Sequence, residues 1–270
     1  MRGTLVCVTT PATPPPSRDT PRAVPPHPTP PDTVPSHPTP PDADARRSAL
    51  RAGLRLGAVI LGLVTVVALL GLLVRGSAAV ASLDLALSDA ANRTLTGPAA
   101  RIALGIDLVF GPRVAVALAV AAALAAGLVR RSLLIGARLA VMIAVPWGFV
   151  AVVKLVVRRP RPDGELLLHQ LLAEPTSFSY PSGHTAFATA LCLAILCALP
   201  AAATRFRIGV GIALAALVVL ATAWSRVALG MHYSTDVLAS MLLIPPLSLL
   251  LARIITRTVP DHGFRDRIVA

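Results

Sequence analysis

This chain is short of charge. Asp, Glu, Lys and Arg make up only 14% of its 270 residues, 55% are hydrophobic, and the mean hydropathy is +0.73. Soluble domains carry about 25% charged residues, so the shortage excludes an ordinary soluble domain and leaves an integral membrane protein. Aromatics are scarce too, at 4%. The net charge of +12 therefore does not point to nucleic acid, because the arginines are scattered between apolar segments and are not grouped on a helix with aromatics. Membrane orientation accounts for the excess. Three cysteines occur, Cys7 in a polar stretch and Cys192 and Cys197 in an apolar run, which excludes a disulfide framework. The last pair read as small buried apolar residues. There is no Walker-type Gly-rich loop, no Cys-X-X-Cys pair and no carboxylate cluster suited to magnesium, so the chemistry is expected to use no metal and no cofactor. Lysine is almost absent while Ala, Arg and Pro are heavily used, a bias compatible with a high-GC bacterial genome.

What the chain has in abundance is apolar runs. Those at 56–74, 114–129, 139–157, 185–203, 208–225 and 237–252 are each expected to cross roughly 30 Å of hydrocarbon as a helix, the third kinked at Pro146. The fold class is thus all-α, a polytopic bundle of six transmembrane helices over residues 46–257. Arg46, Arg47, Arg51 and Arg55 precede the first run, and Arg130-Arg131 with Arg138, Arg205 with Arg207, and Arg253 with Arg257 mark later loops. Retained inside, they predict cytoplasmic termini. The mixed stretch 76–113, broken by Asp84, Asp89, Arg93, Asp107 and Gly97-Pro98, is expected to form helices along the outer membrane surface. Residues 1–45 hold most of the prolines and a near-repeat of Val-Pro-Pro-His-Pro-Thr-Pro-Pro-Asp as Val-Pro-Ser-His-Pro-Thr-Pro-Pro-Asp. They read as a disordered, solvated cytoplasmic tail with polyproline II character, His27 and His37 included. Residues 1–10 lack the apolar core of a signal peptide. Residues 258–270 are expected to form a short cytoplasmic tail.

Three polar motifs interrupt the apolar pattern, all at the ends of runs predicted to face outward. Lys154 is followed after six residues by Arg161-Pro162; Pro181-Ser182-Gly183-His184 precedes the fourth run; Ser225-Arg226 leads to His232 and Asp236. A phosphate site without metal needs fixed cations and N–H donors, and Lys154, Arg161 and Arg226 can supply the cations. Gly183 at a helix N-terminus allows close backbone approach to an anion, and the Ser182 hydroxyl adds a donor while also suiting a helix cap. His232 and Asp236 stand at i and i+4, on one helix face or its first turn, where the carboxylate can orient an imidazole N–H. Arg158 and Arg159 read as a basic cluster at the membrane edge contacting lipid head groups. The Leu-rich loop 163–180 reads equally as a short interfacial helix or as an ordinary surface loop.

Together the motifs resemble the complete three-part signature of the type 2 phosphatidic acid phosphatase family, with every signature residue present. The resemblance implies a membrane lipid phosphatase whose site lies at the extracytoplasmic face of the plasma membrane. It implies His232 as the nucleophile forming a phosphohistidine, Asp236 as its orienter and His184 as the general acid. Lys154, Arg161, Ser182, Gly183 and Arg226 are the implied phosphate-binding residues. The implied partner is a lipid phosphate or diphosphate in the bilayer: phosphatidate, phosphatidylglycerol phosphate, or a polyprenyl diphosphate such as undecaprenyl diphosphate. The motifs read only the phosphate and do not choose among these. Vanadate-dependent haloperoxidases share a similar pocket, but six apolar spans argue against them. A transporter or scaffold that binds lipid phosphate without turning it over is the alternative from another class, and the intact His184, His232 and Asp236 argue against it.

Overall fold

A computed structural model describes residues 43–173, 175–200 and 203–258. The Pro-rich stretch through Asp42 with His27, His37 and Cys7, and the C-terminal stretch from residue 259, lie outside the described residues. The chain divides into two units, Met1–Ser48 and Ala49–Ala270. Of the first, only the start of one helix is described. Ala43–Ala45, expected to close the tail, already belong to that helix, since beyond Pro41 the sequence turns to Ala and Arg, which favour helix.

Among the described residues eight α-helices follow one another: α1 Ala43–Gly76, α2 Ala78–Asn92, α3 Gly97–Phe110, α4 Pro112–Val129, α5 Leu133–Val157, α6 Gly183–Cys197, α7 Arg205–Ala228 and α8 Ser234–Thr258. A single 3-10 turn, Gly164–Leu166, marks the loop before α6, and no strand occurs among the described residues. Local chemistry places the boundaries. Ser77, Ser182 and Thr204 cap α2, α6 and α7 with their hydroxyls. Pro98 and Pro112 stand in the first turns of α3 and α4, where a missing N–H costs nothing.

Among the described residues five helices are long and apolar enough to cross a membrane: Leu50–Gly76, Pro112–Val129, Leu133–Val157, Arg205–Ala228 and Ser234–Thr256. The expected fourth span is the exception. Helix α6 ends at Cys197 after 15 residues, about 22 Å of rise, because Pro200 disfavours helical geometry in the residue before it. It does not need the length, being the central helix, packed against α5, α7 and α8. Its small side chains Ala186, Ala190 and Ala194 are buried and let its neighbours approach closely. Phe187 fills the remaining space against Trp147 of α5 and Phe110 of α3, at ring separations of 5.1 and 6.2 Å. Helix α5 starts six residues earlier than expected, with Arg138 buried inside it, and runs unbroken through Pro146. Neighbouring helices make such a proline tolerable.

Helices α2 and α3 pack on α7, and α2 buries Asp84, Ser88 and Asn92. The Asn92 amide donates to the carbonyls of His169 and Ala228, both at 2.9 Å, and its oxygen accepts from the His169 N–H at 2.8 Å. That clamps the 163–180 loop, which carries only the one 3-10 turn and is otherwise an ordinary connection. At its far end the Tyr180 ring lies so close to α1 that a Cβ on Gly71 would come within 2.4 Å of it. Burial pushes the Tyr180 phenol up to about 12, so it stays protonated and donates to the Val67 carbonyl at 2.9 Å.

Candidate active site

Three stretches meet at one end of the bundle: the chain leaving α5, the start of α6, and the turn between α7 and α8. Arg158 caps α5 in the left-handed region, φ 50° and ψ 40°, and its Nε folds back to the Leu155 carbonyl at 2.9 Å. It is exposed, as a membrane-edge arginine should be. Arg159 is not, and the expectation that the two form one lipid-facing cluster is corrected here. Its side chain is 3% exposed. Nη2 donates to Asp84 Oδ2 at 2.8 Å, and Nη1 donates to Asp236 Oδ1 at 2.8 Å and to Thr235 Oγ1 at 2.7 Å. Its guanidinium also lies 4.1 Å over the Tyr233 ring. The left-handed residue Arg158 ends the helix, so the two neighbours are no longer held on one helical face. Asp84 in turn accepts from the Thr235 N–H at 3.1 Å and from its hydroxyl. The result is a buried carboxylate–guanidinium–carboxylate chain ending on Asp236.

His232 sits in the turn before α8, following Gly230, whose φ of 70° makes the turn and where a Cβ would meet Leu167 at 2.3 Å. Its Nδ1 lies 3.4 Å from Asp236 Oδ2, and that same oxygen accepts the Tyr233 N–H at 2.9 Å. The i, i+4 pair thus spans the helix start and does not lie along its face. With Nδ1 turned to the carboxylate, Nε2 faces Arg161, 3.3 Å from Nη1. Burial, then the charges of Arg161, Lys154 and Arg226, hold the imidazole well below its ordinary value. A neutral ring with one nitrogen tied to a carboxylate keeps a lone pair on the other, the form a nucleophile requires.

Two of the three cations are held by backbone carbonyls. Lys154, the one lysine of the chain, donates to the carbonyls of Phe178 and Ser179 at 2.6 and 3.1 Å. Arg161 donates to the Ser177 carbonyl at 2.8 Å, to its hydroxyl at 3.0 Å, and to the Met231 carbonyl. Arg226, 2% exposed, pairs through Nη1 with Asp107 Oδ1. Ser182 caps α6 by accepting from the Thr185 N–H and hydroxyl at 3.4 and 3.1 Å. Its own N–H goes to the Asp236 carbonyl at 3.1 Å, which leaves Gly183 and His184 to present the first N–H groups of the helix. A Cβ at Gly183 would meet nothing within 4 Å, so the space beside that helix end is open. His184 Nε2 lies 3.3 Å from Asp107 Oδ1. Burial alone would raise the Asp107 carboxyl, but its contact with His184 and the charge of Arg226 hold it below the usual carboxylate range.

All eight residues singled out by sequence therefore come to this end of the bundle. Nε of Arg226 is buried without a hydrogen-bond partner, which suits a polar ligand; Nε2 of His184 and Nδ1 of His232 are buried facing the Asp107 and Asp236 carboxylates at 3.3 and 3.4 Å, without aligned hydrogen-bond geometry. Sequence reasoning missed Asp84, Asp107, Arg159 and Thr235. A signal existed for the two acids: an Asp inside an apolar helix of a charge-poor membrane protein needs a cationic partner.

The PAP2 superfamily matches residues 116–263, more than half of the chain and all three motifs, while Asp84 and Asp107 lie outside the match. Among solved structures, the chain is similar to a transmembrane PAP2-type phosphatidylglycerolphosphate phosphatase from Bacillus subtilis. The two are 25% identical with a TM-score of 0.56, the match covering 76% of this chain and 94% of the other. No curated protein sequence matches. With the ordered motifs, their meeting at one end of a helical bundle and a family match over more than half its length, the chain belongs to the PAP2 superfamily.

Proposed function

We propose that this multi-pass membrane protein hydrolyses a lipid phosphate or diphosphate through a phosphohistidine on His232. The observation that carries the reading is the setting of that ring, buried between the Asp236 carboxylate and the Arg161 guanidinium, where burial and neighbouring cations disfavour its charged form. Nε2 attacks phosphorus and the P–O bond to the lipid breaks, while His184 gives a proton to the departing oxygen. Water then attacks phosphorus, the P–N bond breaks, and the proton of the water returns to His184, so that orthophosphate leaves and both histidines are restored. Lys154, Arg161 and Arg226 balance the charge of the transferring group. The N–H groups of Gly183 and His184 and the Ser182 hydroxyl, whose oxygen accepts from Thr185 and keeps its own hydrogen, donate to its oxygens. The Bacillus subtilis relative is named for phosphatidylglycerol phosphate; phosphatidate and undecaprenyl diphosphate present the same terminal phosphate.

The test is orthophosphate release by detergent-purified protein from phosphatidylglycerol phosphate, phosphatidate and undecaprenyl diphosphate, each with and without a chelator. At least one should be turned over, at a rate the chelator leaves unchanged, because three cations and a helix N-terminus stand where magnesium often serves. Activity lost in chelator and regained with magnesium would refute the metal-free mechanism. Binding of phosphatidate without release from any substrate would instead make the protein a lipid-phosphate binder.

The site is proposed to face the extracytoplasmic side of the plasma membrane, with cytoplasmic termini, because the arginine-rich loops lie at the opposite helix ends. In a Cys7→Ser background, Thr176→Cys should react with an impermeant thiol reagent in intact cells and Arg131→Cys should not. Labelling of the Arg131→Cys variant alone would invert the orientation.

A further inference from the structure

The mechanism just proposed gives no part to Asp107. Asp107 comes from α3, outside the family match, and its Oδ1 meets both His184 Nε2, at 3.3 Å, and Arg226 Nη1. The carboxylate is not there by accident of a mobile helix. Ser225, adjacent to Arg226, donates its hydroxyl to the Ala103 carbonyl at 2.8 Å, which ties α3 to α7 one turn before Asp107. A Cβ on Gly111, at the α3–α4 elbow, would lie 3.8 Å from His184 Nε2, in ordinary contact. A general acid must carry a second proton when the leaving group departs, yet His184 shares its pocket with the guanidinium of Arg226, which opposes a positive ring. The carboxylate of Asp107 is the counter-charge in contact with both.

We propose that Asp107 is the positioning residue of the acid half of the reaction, forming with His184 a second His–Asp pair that complements His232–Asp236. Resting on the phosphatase reading above, the inference also assigns atoms. The imidazolium keeps its Nε2 hydrogen on Asp107 and transfers the Nδ1 hydrogen to the lipid oxygen as the P–O bond breaks. In the second step Nδ1 takes a proton from the attacking water while Nε2 stays tied. The two pairs are then mirror images in chemistry: His232 is held at Nδ1 and works at Nε2, and His184 is held at Nε2 and works at Nδ1.

The experiment compares Asp107→Asn, Asp107→Glu and His184→Ala with the unaltered protein on two substrates, phosphatidate and an aryl phosphate with a good leaving group. For phosphatidate, kcat should fall about a hundredfold in Asp107→Asn, with partial recovery in Asp107→Glu. For the aryl phosphate, which departs without a proton, the loss should be less than about threefold, and that residual turnover also shows the variant to be folded. An equal loss on both substrates, while His184→Ala shows leaving-group rescue, would make Asp107 a structural residue. Tighter inhibition by inorganic phosphate with undiminished kcat would make it a resident competitor for Arg226; either result overturns the inference. If Asp107→Asn fails to fold, the same ratio of losses in Asp107→Glu decides. Absence of turnover by the unaltered protein, by contrast, removes the phosphatase reading itself.

Discussion

Replacing His232 by alanine is expected to lower turnover of the lipid phosphate by roughly four powers of ten or more and to leave no trappable phosphoenzyme. The size follows from what is lost. Without Nε2 there is no nucleophile opposite Arg161, and water must attack an unactivated ester directly. His184→Ala should differ in kind: the covalent intermediate can still form, and an activated aryl phosphate should recover much of the rate because its leaving group needs no proton. Asp236→Asn keeps the shape of the turn but removes the charge that supports a positive imidazole, and it should resemble His232→Ala more than His184→Ala. Rapid quench with radiolabelled substrate and acid-lability of the label distinguish these cases. Acid-labile label on His232→Ala, or leaving-group rescue in that variant in place of His184→Ala, would reverse the two assignments. The losses will not add, since the groups act as one unit.

Arg159→Met should be among the most destabilising single changes in the protein. The substitution leaves Asp84 and Asp236 facing each other in a site where neither side chain is more than 2% exposed, and breaking a buried ion pair on one side costs about 3–5 kcal/mol. Arg158→Met, one residue away and exposed, should stay within about 0.5 kcal/mol of the unaltered protein. Unfolding midpoints of both variants in the same detergent make the comparison, and equal midpoints would show that the Asp84–Arg159–Asp236 chain contributes nothing. Adding Asp84→Asn to Arg159→Met should restore part of the loss, because one of the two stranded charges is then gone. Turnover should fall as well, since Arg159 holds the oxygen of Asp236 that does not face His232.

How far each feature was legible depends on the range of the interactions that make it. Hydropathy is a property of consecutive residues, so membrane spans could be read directly; their ends could not, as Arg138 inside α5 and Pro200 after α6 show. The α6 span was overestimated because an apolar run does not reveal that its helix is central and shielded by neighbours. The signature residues were legible because their order, spacing and types resemble a family signature whose parts suit a phosphate: a helix start for the anion, an i, i+4 pair for the histidine, cations a fixed distance along the chain. Membrane class, all-helical architecture and the set of residues that meets at one end of the bundle were thus determined by sequence alone. Tertiary structure decided which arginine of an adjacent pair turns inward, and that Asp84 and Asp107 enter the site from helices expected to lie on the membrane surface. Those choices rest on ion pairs between residues 75 or more positions apart. Buried charge is stable only beside its counter-charge, and where that counter-charge arrives is settled by how the helices pack.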